Sequence, residues 1–302
     1  MRVTGNPNQE VVGVDVGGTK IAAGLVNGAA AVLRSTQRPA LAGEPLRTSL
    51  DQVYAAIQEC FTPEVAAIGI CAPGPLNPIT GVVLNPPNLP YWRNVPLARL
   101  VSERFGVACR LENDANAAGL AETMFGAAQG FDSVLYVTLS TGIGTGIILN
   151  GRIYHGKNGA AAEGGHVTID YRSKSVCNCG VPGCIEALAS GTAIASRAGI
   201  SAERIGAAIR AGEPTALHLL DETAGMLSAW MGSLISLLDP EIIVIGGGVA
   251  RIGEPLFRLL RERVPSRTIN QFAGQTPIVP AALAEDVGVL GAAAVALGTQ
   301  IA

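Results

Sequence analysis

The stretch VVGVDVGGTKIAAGLV, residues 11–26, joins two apolar runs through a turn made of Gly17, Gly18, Thr19 and Lys20. Two such runs around a glycine turn predict a β-hairpin. The layout returns at residues 133–151, SVLYVTLSTGIGTGIILNG, where the turn is again built of Ser, Thr and Gly. Residue by residue the two stretches are only weakly alike. Their order of strand, small-residue turn and strand is shared, and each opens one half of the chain. A duplicated α/β domain follows from that repetition.

The segments between fill in this plan. A third strand is predicted at about 30–36. GEPLRTSLDQVYAAIQECF (43–61) has helical periodicity, and EVAAIGICAPG (64–74) reads as a buried strand running into a Pro/Gly loop. Residues 75–96 carry Pro75, Pro78, Pro86, Pro87, Pro90 and Pro96 and read as loop. A helix near 97–105, a strand at 107–112 and an alanine-rich helix beginning near Asn116 come next. Residues 190–238 are mostly helical in pattern. EIIVIGGGVA (241–250) is a buried strand, EPLFRLLRERV (254–264) a helix, and AEDVGVLGAAAVALG (284–298) a helix with a small-residue face.

Composition bounds the function. The chain has 302 residues, 48% of them apolar and 15% charged, which fits a globular protein with a sizeable core. A net charge of -3 argues against a nucleic-acid or anionic-membrane partner. The start, MRVTGNPNQE, lacks the apolar core of a signal peptide, and no apolar run is long enough to span a bilayer. The expected setting is cytoplasmic, where thiols stay reduced.

That setting bears on VCNCGVPGCIEA (176–187), which crowds Cys177, Cys179 and Cys184 into one loop. A disulfide between Cys177 and Cys179 would be strained, with one residue between them. His166 lies upstream and completes the pattern H-x10-C-x-C-x4-C. Three thiolates and one imidazole suit a closed structural zinc site, against the alternatives of reduced loop thiols or a redox pair. Gly180 and Gly183 supply the turns such a site needs.

Three small-residue turns could meet phosphate or nucleotide, although each alone is more often a plain turn. DVGGTK (15–20) offers Gly17, Gly18, Thr19 and Lys20, with Asp15 placed to hold Mg²⁺ through water. STGIGTG (140–146) offers Thr141 and Gly142, and GGGVA (246–250) offers Gly247 and Gly248 after a strand, a natural place for a nucleoside. None matches the P-loop or the dinucleotide-binding glycine pattern. In LENDANAAGLAE (111–122), Asn113, Asp114 and Asn116 stand where a strand meets a helix. Helix capping is one reading, and Asp114 as a general base toward a hydroxyl is another. AAAEGGHVTID (160–170) holds Glu163 and His166, and Glu186 follows Cys184 by two residues. With zinc on one imidazole nitrogen the other can donate a hydrogen bond. The two carboxylates and this N–H would then form a rigid wall for a sugar, which the cysteines hold in shape.

Taken in order, DVGGTK, NPPNLPYWRNVPL, ENDANAA, STGIGTG, EGGH, CNCGVPGCIEA and IGGGVA resemble the motifs of the ROK family (repressors, open reading frames and sugar kinases) over almost the whole chain. The resemblance implies an actin-like, hexokinase-type ATPase fold of two α/β lobes, a ribonuclease H-like duplication, closing over a cleft. The small lobe would comprise 1–117 with 286–302, and the large lobe 118–285 with the zinc. It also implies transfer of the γ-phosphate of Mg-ATP to a sugar hydroxyl. Asp114 would be the catalytic base, and Asn113, Glu163, His166 and Glu186 sugar ligands. Asn88 and Gly74 would lie beside the sugar. NPPNLPYWRNVPL is similar to the segment of ROK glucokinases, which makes glucose O6 the first expectation. An N-acetylmannosamine, N-acetylglucosamine or fructose kinase, or a silent sugar sensor, is the alternative. A repressor would need a helix-turn-helix, and only about ten residues precede the first strand. Family members commonly read G-E-[IL]-G-H where this chain has AEGGH, with Ala162 and Gly164 as the departures. A homodimer, or a tetramer made from it, is implied as well.

Overall fold

The structure is a computed structural model that describes residues 6–200 and 202–298. The chain divides into two compact units. The first holds 6–130, 146–162 and 282–298, and the second holds 131–145 and 163–281. The expected small lobe, 1–117 with 286–302, would stop inside a helix; by contact, 118–130, 146–162 and 282–285 also lie with the first unit. Its residues 1–5 and 299–302, and Ser201 of the expected large lobe, lie outside the described residues.

The first unit is built on a five-stranded sheet. β1 (Glu10–Val16), β2 (Lys20–Asn27) and β3 (Val32–Pro39) form an antiparallel meander. α1 (Leu46–Cys60) returns the chain to β4 (Val65–Ala72), which pairs parallel with β1. The proline-rich stretch holds a two-residue ladder of β5 (Leu76–Asn77) and β6 (Val82–Val83) and a single bridge between Val83 and Val95. α2 (Leu97–Phe105) then leads to β7 (Ala108–Asn113), parallel to β4. The strand order is β3-β2-β1-β4-β7. Valines and isoleucines of β1 and β4 pack with Ile57 of α1 and with Trp92, whose indole N–H donates to Ser49 Oγ at 2.7 Å. α3 (Asp114–Phe125) follows β7 at once, two residues earlier than the alanine pattern suggested.

The second sheet repeats the plan with β8 (Val134–Leu139), β9 (Ile143–Leu149) and β10 (Arg152–Ile153). After the cysteine loop come α4 (Ile185–Ala189), α5 (Gly191–Ala198), α6 (Ala202–Arg210) and α7 (Pro214–Leu238). β11 (Ile242–Gly246) pairs parallel with β8; α8 (Glu254–Arg263) and β12 (Ile278–Pro280) follow, in the order β10-β9-β8-β11-β12. α9 (Val287–Leu297) returns to the first unit. Its small residues let backbone meet backbone: a Cβ added to Gly13 of β1 or Gly69 of β4 would overlap the carbonyls of Val289 and Ala292. The small-residue face read from the sequence is this contact. Among the described residues no helix is long and apolar enough to cross a membrane.

Candidate functional site

In the first unit the parallel register fixes a corner. Asp15 of β1 stands opposite Cys71 of β4, and Cys71 opposite Glu112 of β7, with Ala72 opposite Asn113. The carboxyl ends of three parallel strands thus bring Asp15, Cys71, Asn113 and Asp114 together, the usual ligand end of an open α/β sheet. Asn113 is the N-cap of α3: its Oδ1 accepts the N–H groups of Ala115 at 2.9 Å and Asn116 at 3.2 Å. The capping role suggested for this cluster falls to Asn113. Asp114 sits in the first helical turn, where one oxygen takes the Ala115 N–H at 2.8 Å.

Burial raises the Asp15 carboxyl above its ordinary range, partly offset by the Cys71 thiol, which donates to Oδ1 at 3.5 Å, and by Lys20. Burial also lifts the Cys71 thiol well above its usual value, and the negative charges of Asp15 and Asp114 add to it. Cys71 is therefore a neutral donor, not a nucleophile. Next to Asp15 the DVGGTK turn closes on itself, Gly17 N–H donating to the Lys20 carbonyl at 2.9 Å. Gly18 passes Asn88 so closely that a Cβ there would come within 3.1 Å of the Asn88 Cβ and carbonyl. Thr19 and Lys20 are exposed, and Gly74 lies two residues beyond β4.

In the second unit His166, Cys177, Cys179 and Cys184 converge, with ligand atoms all within 4.8 Å of one another. Cys177 Sγ is 3.4 Å from His166 Nδ1, and Cys179 Sγ is 3.7 Å from Cys184 Sγ. A tetrahedral zinc requires edges of roughly 3.8 Å between thiolates and roughly 3.5 Å between thiolate and imidazole nitrogen. These four residues fit that ion. His166 Nδ1 faces the cysteines while Nε2 faces Glu163 Oε2 at 3.9 Å, so the ring's outer nitrogen is turned away from the metal cradle.

Glu186 is held from two sides. Oε1 accepts from Cys177 Sγ at 3.3 Å, and Oε2 takes the Ile143 N–H at 2.9 Å. Gly142 makes the second contact possible, because a Cβ at that position would overlap Glu186 Oε2. The AEGGH departure has a local account. Ala162 adopts a left-handed φ of 66°, where glycine is unstrained. At Gly164 a Cβ would stand 2.7 Å from Thr145 Oγ1, which accepts the Gly164 N–H at 2.9 Å. Thr145 thus occupies the room of an aliphatic side chain at 164, and the buried Trp230 donates to the Gly164 carbonyl at 3.0 Å.

The two turns of the second unit also meet. Thr138 of β8 is opposite Gly246 of β11, so Thr141 and Gly142 leave the sheet beside Gly247 and Gly248. Thr192 Oγ1 donates to the Thr141 carbonyl at 2.9 Å and ties the first turn to α5. Sequence reasoning missed Cys71, Thr145, Trp230 and His155. Thr145, inside STGIGTG, and Glu112, inside the LENDAN motif, carried a signal that went unused. The Glu112 carboxylate is 3% exposed and accepts from Asn113 N–H at 2.9 Å and Asn116 Nδ2 at 3.0 Å.

Comparison with known proteins returns sugar kinases together with xylose repressors. A family model described as "ROK family" matches residues 11–299. A glucokinase of Thermotoga maritima is 36% identical over 310 residues, covering 96% of this chain and 98% of that protein. The crystal structure of a ROK hexokinase from Thermus thermophilus superposes with a TM-score of 0.85 at 36% identity, over 97% of this chain and 100% of that one. A ROK family glucokinase from Streptomyces griseus, solved in complex with glucose and AMPPNP, gives a TM-score of 0.81 at 34% identity over 95% and 99% of the two chains.

Proposed function

The chain belongs to the ROK family and has its actin-like, hexokinase-type ATPase fold, and we propose that it is an ATP-dependent glucokinase that phosphorylates glucose at O6. The observation that carries this reading is the β7–α3 corner. Asn113 takes the capping role and leaves the Asp114 carboxylate at the ligand end of three parallel strands. Nearly full-length likeness to a Thermotoga maritima glucokinase supports the same substrate.

Asp114 accepts the proton of the attacking hydroxyl, and Asn113 Nδ2 donates to the sugar. Glu163, His166 Nε2 and Glu186 bind further hydroxyls, with Asn88 and Gly74 beside the ring. Thr141, Gly142, Gly247 and Gly248 meet the nucleotide, and Gly17, Gly18, Thr19 and Lys20 the transferred phosphate. Mg²⁺, held through water by Asp15, would neutralise charge on the phosphate oxygens, and a cation there offsets the burial of that carboxylate. Zn²⁺ on His166, Cys177, Cys179 and Cys184 would give the sugar wall its shape and take no part in the transfer. Phosphorus and carbon NMR of a mixture with glucose and Mg-ATP tests the reaction. A phosphate ester on C6 is the expected product. An ester on an acetamido sugar or fructose alone would move the substrate within the family, and no ester on any sugar would leave a sugar sensor.

A further inference from the structure

The first unit holds a cavity of ≈ 890 Å³ beside the edge strand β7, and none of the sugar or nucleotide residues named above lines it. Its wall includes Arg110, Glu112, Met124, Arg152, His155 and Val295. One contact in it is short and buried on the glutamate side: His155 Nε2 lies 2.6 Å from Glu112 Oε2. The other Glu112 oxygen takes the Asn113 N–H and the Asn116 side-chain amide at 2.9 and 3.0 Å. One carboxylate therefore joins His155 to the last residue of β7 and the first turn of α3. Asp114 lies between those two attachment points in the chain.

We propose that His155 and Glu112 form a positioning pair that holds the strand–helix corner carrying Asp114. The inference rests on the kinase reading above for its catalytic consequence. A carboxylate 3% exposed has to be matched by donors, and three side-chain or backbone groups supply them. If the His155 donor is lost, Oε2 loses its protein partner, and the carboxylate is free to turn toward the cavity. Turning it releases the Asn113 N–H and the Asn116 amide, and with them the orientation of the first helical turn. Asp114 then meets the sugar hydroxyl less well; Asn113 shares that corner, while Glu163, His166, Glu186 and the nucleotide turns do not. The defect falls on kcat and spares the KM for Mg-ATP.

The pair also gives a sign for pH. The hydrogen bond to Glu112 raises the His155 pKa, burial opposes this, and the charge of Glu112 adds to the rise. The other charged or titratable side chains around the cavity are Arg110, Arg152 and Cys109. A group raised in the folded state contributes fully below its unfolded pKa and loses that contribution as pH rises through the folded value. The support given to the corner therefore weakens on the alkaline side, down to what a neutral imidazole donating through Nε2 supplies.

The test is steady-state kinetics of wild type, His155→Phe and His155→Gln across pH on whichever hexose the wild type turns over. His155→Phe is expected to lose about 10- to 100-fold in kcat, the size of a small misplacement of a reacting group, with the Mg-ATP KM within about 3-fold. His155→Gln keeps a neutral donor near the Nε2 position, so it recovers most of kcat and lacks the alkaline decline. Wild-type kcat and pH profile in His155→Phe would overturn the proposal, as would equal defects in the two variants. Should His155→Phe fail to fold, the comparison of wild type with His155→Gln decides alone. A wild type inert on every hexose would defeat the kinase reading instead. The pair is then read by amide NMR, where the Asn113 and Ala115 signals follow His155 protonation in wild type and not in Glu112→Gln. Signals that ignore that protonation would overturn it.

Discussion

Replacing Gly142 with alanine separates two roles for the STGIGTG turn. A Cβ at that position overlaps Glu186 Oε2, so the carboxylate has to swing away. The swing breaks the 2.9 Å bond from the Ile143 N–H and disturbs the 3.3 Å contact between Oε1 and Cys177. A hydrogen bond to a charged group contributes about 1.5–3 kcal/mol. If that orientation energy serves sugar binding, the KM for glucose rises roughly 10- to 150-fold. The KM for Mg-ATP changes by less than about 3-fold, because the backbone path of the turn is kept by the Thr192 bond to Thr141. The assay is ADP release with each substrate varied in turn. A rise confined to the Mg-ATP KM, with the glucose KM unmoved, would refute the reasoning and assign Gly142 to the nucleotide alone.

Cys179→Ser is expected to lose the metal from the His166 cradle, read by metal analysis of the purified protein, and to weaken glucose at least about 10-fold; a metal-free wild type with full activity would oppose this. Ala162→Gly relieves a left-handed alanine and gives back some chain entropy, for a net gain of about 0.5–1 kcal/mol in urea unfolding; a loss of stability would contradict the backbone account. Glu122 is fully buried and accepts the N–H groups of Ala127, Ala282 and Leu283 at 2.7, 3.1 and 2.9 Å. Glu122→Ala leaves all three unpaired and costs at least about 3 kcal/mol, measured the same way; an unchanged unfolding midpoint would show that water replaces the carboxylate.

Local pattern carried much of this molecule. The two hairpins were legible because apolar runs and glycine turns are written in consecutive residues, and the His/Cys cluster because three of its members share one loop. The small-residue face of α9 was legible too, but its purpose was not: Gly13 and Gly69, which receive it, lie more than 200 residues earlier. Asn113 and Asp114 were found together, yet which one caps α3 depends on backbone direction at a single corner. β12, three residues long, carries too little periodicity to be seen. Contacts set by the third dimension were the ones missed. His155 meets Glu112 across 43 residues, and Trp230 meets Gly164 across 66. Nothing in the neighbourhood of either residue in sequence announces its partner.

The most direct test of the central claim is kcat/KM for ADP release on glucose, mannose, fructose, N-acetylglucosamine and N-acetylmannosamine, in wild type and Asp114→Ala. The account predicts that glucose dominates and that Asp114→Ala loses at least about 10²-fold in turnover on it. Turnover on glucose that survives in Asp114→Ala, or no glucose-dependent ADP release from the wild type, would contradict it.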